Sequence, residues 1–360
     1  MRVLFLSVLS LSISILPFLI LLLILQNRLK QRFGIRWLRL IWVVVLVRLL
    51  LPFPVMGESL LTPNVFAPVL YDGTISEEVS VLFQQVAFID CLAALWFVIA
   101  GAMLLEHVMD YHLFLYHVRR RSCMPQDSRY ALALAKVREV WALPQSLRVM
   151  ICPDMKTPAA VGVFRPVILL PSEQYDDSTM MLILHHEAAH LRRGDILVKW
   201  CAMLANCLYW FHPFVYLVQK ELEQHLEIAC DEAVMKKLGQ ETEIQKAYSY
   251  IILAAAAGKA GQAYPIVACL QDTKVYLKAR IDNIFDTRPK RSGMPVLVLS
   301  AVALLLSSGL LQLEYYDTRS IELLPEVQYE VVAATEEQIG QSIVTVDLYR
   351  LEQQLEEQEA

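Results

Sequence analysis

Two histidines four residues apart, with a glutamate directly after the first, are the residues of this chain best suited to chemistry. They are His186 and His190, and the glutamate is Glu187. On a helix, residues four apart lie on one face, so both imidazoles can reach a single metal ion. Imidazole nitrogen and carboxylate oxygen suit tetrahedral zinc, which keeps a fourth position for water. Glu187 would then lie beside the metal as a general base acting on that water.

A zinc site of this kind needs a third protein ligand, and a second helical stretch supplies candidates. Glu227 and Asp231 are four residues apart in a stretch predicted to be helical over about 220–238. This Glu-x-x-x-Asp spacing is similar to that of the gluzincin class of zinc peptidases. We therefore expect Glu227 on zinc and Asp231 as hydrogen-bond acceptor from a zinc-bound histidine, His186 being the expected partner. Glu223 is the alternative third ligand.

The helices of the site must be joined by a turn, and one histidine lies in it. His212 belongs to a Trp-Phe-His-Pro segment between the two candidate metal helices. We expect a turn residue there. The alternative is that His212 lines the site and donates a hydrogen bond to the oxyanion formed during peptide hydrolysis.

Two runs rich in Val, Ile and Leu precede the metal motif and predict strands. The first covers 146–152, and the second covers 159–170 with a Phe-Arg-Pro interruption that predicts a turn between two strands. An extended peptide substrate can add to an exposed sheet edge as a further strand. Val167, Ile168 and Leu169 are the candidate edge, with a purely structural hairpin as the alternative.

Apolar residues make up 56 % of the chain, and their excess over an average soluble protein lies in a few long runs, four of which could cross a membrane. These runs cover about 3–25, 37–53, 79–105 and 294–313, each near the roughly 20 residues that a membrane-spanning helix needs. Basic clusters occur after the first run, after the third run and before the fourth, which is the same side of the membrane for all of them. Their members are Arg28, Lys30, Arg32, Arg36 and Arg39; Arg119, Arg120 and Arg121; Lys290 and Arg291. Since basic residues mark the cytoplasmic side, we expect a multi-pass cell-membrane protein with both termini extracellular.

The predicted fold is thus an α-helical membrane protein with four transmembrane helices and a cytoplasmic α+β gluzincin-like metallopeptidase domain. Three spans occupy 1–118, the catalytic domain 119–292, the fourth span 293–314, and a short acidic extracellular tail 315–360. A further apolar run at 196–218 is interpreted as a buried or membrane-hugging helix of the catalytic domain. A crossing there would separate the two halves of the metal site.

Two further expectations concern charge. Arg48 and Asp90 fall inside predicted spans, so we hypothesise an ion pair between them, with Arg48 extending alone to the membrane surface as the alternative. The net charge of −5 provides no basic surface, which argues against direct nucleic-acid binding.

The seven cysteines, an odd number without paired spacing, argue against a disulfide framework.

Taken together, these segments resemble the membrane antirepressor metallopeptidases of the BlaR/MecR type. The motifs that carry the resemblance are Leu-Arg-Leu-Ile-Trp (38–42), Arg-Leu-Leu-Leu-Pro (48–52), Gly-Val-Phe-Arg-Pro-Val-Ile-Leu-Leu-Pro (162–171), His-Glu-Ala-Ala-His-Leu-Arg-Arg-Gly-Asp (186–195), Trp-Phe-His-Pro (210–213), Glu-Ile-Ala-Cys-Asp (227–231) and Leu-Lys-Ala-Arg-Ile (277–281). The resemblance implies four membrane helices, Zn²⁺ and regulated cleavage of a cytoplasmic repressor. In the beta-lactam sensors a penicillin-binding domain follows the last helix, whereas the 315–360 tail has no Ser-x-x-Lys motif.

We therefore expect a zinc metalloendopeptidase that cleaves a cytoplasmic regulatory protein, with membrane lipid around its helices. An extracellular signal or partner at the acidic tail is a further expectation. The alternatives are a quality-control protease like the HtpX-like enzymes, and a membrane receptor without catalytic activity. The basic segment 288–291 is interpreted as a cytoplasmic anchor of the last helix, with self-cleavage as the alternative.

Overall fold

A computed structural model describes residues 2–52, 75–163, 165–171, 175–239, 241–258, 274–286, 288 and 290–307. Within these residues the protein is mostly helical, with one small sheet. The helices are α1 Arg2–Ser14, α2 Leu16–Phe33, α3 Ile35–Leu50, α4 Ile75–Arg121, α5 Ser128–Trp141, α6 Asp177–Arg193, α7 Asp195–Leu208, α8 Pro213–Leu238, α9 Thr242–Gly258, α10 Lys274–Ile284 and α11 Met294–Leu306. The strands are β1 Arg148–Ile151, β2 Ala159–Val161 and β3 Val167–Leu170. The predicted tail, 315–360, lies outside the described residues.

The apolar helices differ in length from the predicted spans. Within the described part of the chain, one apolar segment, Phe88–Arg121 of α4, is by itself long enough to cross a membrane. The first predicted span is instead two helices, α1 and α2, which meet at a bend of 42°. Pro17, near the start of α2, lacks a backbone N–H and so favours a break there. In the described part of the chain, α11 is apolar but has only 13 residues. The 16-residue α3 is mostly apolar but carries three arginines.

The buried Arg48 of α3 forms hydrogen bonds with two backbone carbonyl groups. Its Nε lies 3.3 Å from the carbonyl oxygen of Leu304 in α11, and its Nη1 donates to the carbonyl of Leu51. The hypothesised ion pair of Arg48 with Asp90 stays a prediction. The guanidinium therefore satisfies backbone acceptors near the end of its own helix and in α11.

The predicted run 196–218 is not one helix but α7, a turn and the start of α8. Its side chains enter the same apolar core as α1 to α3. Trp96 of α4 donates to the carbonyl of Leu208 at 2.9 Å, and the Tyr209 hydroxyl donates to the carbonyl of Leu49 at 3.0 Å. One face of the run is therefore buried against the amino-terminal helices, while Leu197, Tyr216 and Leu217 are exposed.

The sheet has the order β1-β3-β2, with β1 parallel and β2 antiparallel to β3. The turn predicted between β2 and β3 is present. Gly162 adopts a φ of +87° there, and a Cβ would lie 2.6 Å from the carbonyl oxygen of Arg165. The prediction that Val167, Ile168 and Leu169 form the sheet edge is wrong, because β3 pairs on both sides and is the central strand. In the described part of the chain, β2 pairs on one side.

The helix that carries the metal motif begins and ends where local chemistry dictates. Asp176 caps α6, since its carboxylate accepts the Thr179 N–H at 3.0 Å. At the other end Gly194 adopts a φ of +67°, the left-handed conformation typical of a helix end, and α7 begins at the next residue. Asp195 is consequently brought back beside the last turn of α6.

Candidate metal centre

The side chains of His186, His190 and Glu227 converge between α6 and α8. The two Nε2 atoms are 3.2 Å apart. The Glu227 carboxylate faces both, with Oε2 3.6 Å from Nε2 of His186 and Oε1 3.5 Å from Nε2 of His190. Ligands about 2.0–2.1 Å from a tetrahedral zinc ion lie about 3.3 Å apart. The donor set and its spacing therefore fit zinc.

A cysteine offers a second possible donor set. Cys230, one helical turn after Glu227, forms with the two histidines a cluster whose ligand atoms lie within 4.8 Å of one another. Its Sγ is 3.7 Å from Nδ1 of His186 and 3.4 Å from the backbone oxygen of the same residue. Because Nδ1 of His186 already bonds a tyrosine, whereas Glu227 faces both Nε2 atoms, the geometry favours Glu227 as the third ligand.

His186 is held by a chain of buried polar groups from α8, α9 and α10. Its Nδ1 lies 2.7 Å from the Tyr248 hydroxyl, which donates to Oδ1 of Asp231 at 3.0 Å. Arg280 donates twice to Asp231, each time at 2.8 Å. Asp231 itself is 3.6 Å from Nδ1 of His186. The aspartate thus acts on the histidine mainly through Tyr248, where the sequence predicted a direct bond.

This arrangement orients the imidazole for metal binding. With Nδ1 donating to Tyr248 and Tyr248 donating to Asp231, Nε2 of His186 keeps its lone pair for a metal. Asp231 is fully buried, and its carboxylate is compensated by Arg280, which is itself buried. Such a network is stable because every charged group in it has a partner.

His190 is held by a different carboxylate. Its Nδ1 lies 2.9 Å from Oδ2 of Asp195, the first residue of α7, which is 1 % exposed. Two arginines flank that carboxylate: Arg39 Nη1 is 3.3 Å from Oδ1, and Arg193 Nε is 3.5 Å from Oδ2. Nδ1 of His190 is therefore occupied, and its Nε2 faces the metal position.

Neighbouring charged groups lower the pKa of Glu227 and raise the pKa of His186, so a proton competes with a metal for the imidazole of His186. Burial would raise the pKa of Glu227, but His190, His186 and Lys199 lower it well below its ordinary value. Lys199 Nζ lies 3.5 Å from Oε1 of this carboxylate. Burial lowers the pKa of His186, but Cys230 and Glu227 outweigh it and raise that pKa to about 10. A metal bound here must displace protons.

Glu187 lies in the wall of a cleft that opens beside the metal position. The cavity has a volume of about 190 Å³. Its polar wall includes Glu187, His186 and Glu227, and the segment Lys156–Pro158, which leads into β2, forms another side. Apolar residues of α6 and α9 complete it: Leu182, Ile183, Ile251, Ile252, Ala254 and Ala255. Glu187 therefore borders the same cleft as the candidate ligands His186 and Glu227.

Two other predicted candidates have hydrogen-bond partners outside the three converging side chains. His212 precedes α8, and its Nε2 bonds the carbonyl oxygen of Ser12 in α1 at 3.0 Å. That bond commits Nε2 to α1, so the predicted donation to an oxyanion is not supported. Glu223, the alternative third ligand, accepts a hydrogen bond from Gln219 at 2.8 Å. The turn interpretation of His212 is the one that fits.

The sequence reasoning missed several supporting residues. Tyr248 had no local signal, because an isolated tyrosine in an apolar helix is ordinary. Asp195 and Arg280 stood within segments that carry the family resemblance, yet neither had an assigned role. Arg39 is one member of a basic cluster and Lys199 is a single charge within the apolar run at 196–218, so neither position indicates a role at the site.

Comparison with known proteins identifies the family to which the chain belongs. Residues 6–284 match the family described as BlaR1 peptidase M56. The chain is 36 % identical over 103 residues to the regulatory protein BlaR1 of Bacillus licheniformis, a stretch covering 28 % of this chain and 17 % of that protein. It is 24 % identical over 178 residues to the methicillin resistance mecR1 protein of Staphylococcus aureus, covering 46 % of this chain and 30 % of that protein. The chain thus spans less than a third of either relative, whereas the family match covers most of the chain. The chain belongs to the BlaR1 peptidase M56 family.

Proposed function

We propose that this protein is a membrane-bound zinc endopeptidase that acts in transmembrane signalling by cleaving a cytoplasmic regulatory protein, a transcriptional repressor. The observation that carries the proposal is the convergence of the Nε2 atoms of His186 and His190 on the Glu227 carboxylate. Glu187 lies in the wall of the cleft that opens at the same place. A purely structural metal site would not need a carboxylate in that wall.

The residues divide the work of peptide hydrolysis. His186, His190 and Glu227 would hold the zinc ion, which supplies a Lewis acid and an acidified water when bound. Glu187 accepts the proton of the attacking water and passes it to the leaving amine nitrogen. Tyr248 and Asp195 keep the two imidazoles in the required tautomer.

Substrate binding is assigned to β2 rather than to β3. The segment 156–158 lines the cleft and continues directly into β2, which in the described residues pairs only with β3. An extended peptide that adds to the other side of β2 would form backbone hydrogen bonds and run past Glu187. The scissile bond is thereby placed by the backbone, while the apolar cleft accepts a side chain.

The membrane arrangement is part of the proposal. Four crossings would be made by α1 with α2, by α3, by α4, and by α11 with the residues after it. The segment 119–292 is then cytoplasmic except for the turn between α7 and α8, which reaches Leu49 at the far end of α3 and would lie within the membrane. The segment 315–360 is extracellular. The supporting observations are the apolar segment Phe88–Arg121, the bent apolar pair, and the basic residues that flank the runs on one side.

Replacing the proposed base tests the function. Glu187→Gln should retain zinc while losing cleavage, and peptide mapping of new N-termini in cells should find one site present with wild type and absent with the variant. Glu243→Gln, an exposed glutamate of α9, is the matched control. Identical cleavage patterns for wild type and Glu187→Gln would contradict the proposal. Many cuts in unfolded proteins would instead favour quality control.

A further inference from the structure

Arg39 of α3 contacts the Asp195 carboxylate, which supports the candidate zinc ligand His190. Arg39 lies one turn into α3, and its Nη1 is 3.3 Å from Oδ1 of Asp195. The other oxygen of that carboxylate, Oδ2, is 2.9 Å from Nδ1 of His190. The Asp195 carboxylate therefore bridges α3 and His190, with Oδ1 facing Arg39 and Oδ2 facing the imidazole.

The two arginines that flank Asp195 belong to different helices. Arg193 belongs to the last turn of α6, the helix that carries His190, so it moves with the ligand. Arg39 belongs to α3, which is separated from Asp195 by 156 positions in the chain. Since a carboxylate that is 1 % exposed needs charged or hydrogen-bonding partners, a displacement of α3 changes the partners of Asp195 directly.

The opposite end of α3 is also tied to another helix. Arg48 lies nine residues after Arg39, a rise of about 13 Å along the helix, and bonds the carbonyl of Leu304 in α11. Between these two arginines, α3 is packed through buried side chains: Ile41, Trp42, Val45 and Leu46. A stiff helix held in this way transmits an axial shift from one arginine to the other, and a shift of about 1 Å is enough to break the contact of Arg39 with Asp195.

We infer that Arg39 is a positioning residue through which α3 sets the orientation of His190, so that movement of α3 changes the affinity of the site for zinc. This inference rests on the proposed function. It assigns the regulation of the site to a contact between an apolar helix and the carboxylate behind one ligand. A residue that served only as a cytoplasmic anchor of α3 would not affect metal affinity.

The test measures zinc affinity of the full-length protein in detergent, by competition with a fluorescent chelator. Arg39→Gln should weaken zinc binding about tenfold, at the lower end of the 10–100-fold loss typical for partners behind a metal ligand. Arg39→Lys, which retains the charge, should recover part of the loss. Arg36→Gln is the matched control, because this exposed arginine of the same helix lies over Trp37 instead. It should leave the affinity unchanged.

A double-mutant cycle separates positioning from general damage to the fold. If Arg39 acts through Asp195, Arg39→Gln should have no further effect on zinc affinity in an Asp195→Asn background. Additive losses, or unchanged affinity in Arg39→Gln while Asp195→Asn weakens binding, would overturn the inference and leave the proposed zinc site standing. A wild-type protein that does not bind zinc would overturn both.

Discussion

The two histidines of the site are supported from different parts of the molecule. His186 is held through Tyr248, Asp231 and Arg280, which come from α9, α8 and α10. His190 is held through Asp195, which in turn contacts an arginine of the apolar helix α3. The first support is a closed network within the helices that follow the motif. The second is open to the amino-terminal helices, and this is the side on which a signal could act.

The largest expected effect comes from breaking the closed support. Asp231→Ala leaves the buried Arg280 without its principal carboxylate, and removing one partner of a buried ion pair costs about 3–5 kcal/mol. The thermal unfolding midpoint of the metal-free protein in detergent should fall accordingly. Glu243→Gln, which removes an exposed pair with Lys246, should change the midpoint little. Equal midpoints for the two variants would show that the network does not stabilise the fold.

Removing the group shared by both histidines should have the next largest effect. Glu227→Gln should weaken zinc binding more than about 100-fold, beyond the loss typical of partners behind the ligands. Cys230→Ser should have a much smaller effect, because Sγ lies on the Nδ1 side of His186. Equilibrium dialysis against buffered zinc measures both variants. The reverse order of effects would make Cys230 the third ligand.

A hydroxyl deletion sharpens the account of His186. Tyr248→Phe removes the group that joins Nδ1 of His186 to Asp231, so zinc affinity should fall about 10–100-fold while the fold is retained. Tyr250→Phe is the control, since Tyr250 lines the same cleft and is 74 % exposed. Chelator competition is the measurement. If both variants bound zinc as the wild type does, His186 would be oriented without Tyr248.

The smallest expected effect is the change in zinc affinity for one unit of pH. Because the pKa of metal-free His186 is raised to about 10, its imidazole is protonated near neutral pH, and zinc binds only the deprotonated form. Affinity should therefore rise with pH, by about tenfold per unit for each proton displaced. Chelator competition at several pH values between 6 and 8 measures the slope. An affinity independent of pH in this range would contradict the raised pKa.

The proposed metal ligands could be selected from the sequence because helical periodicity is a local property. His186, His190, Glu227 and Asp231 lie at four-residue spacings, and the structure brings them together. Tyr248 lies 62 residues from His186, and no local pattern indicates that the two meet. The contact of Arg39 with Asp195 was not predicted for the same reason.

The sheet shows a second limit of local patterns. The strands could be predicted from their composition and the turn from its residues, yet the edge was assigned to the wrong strand. The order of strands depends on the parallel pairing of β1 with β3, which is a long-range contact. The bend between α1 and α2 was likewise missed, because a continuous apolar run does not distinguish a straight helix from a broken one.

The shared apolar core has a practical consequence for anyone who wishes to isolate the catalytic part. Side chains of α8 and of the turn before it, such as Tyr209, Val215 and Leu222, are buried among residues of α1, α2 and α3. A fragment that begins at residue 119 would present this apolar surface to water and would aggregate. A fragment designed for isolation should therefore keep the amino-terminal helices. Otherwise the apolar residues that contact those helices must be replaced with polar ones.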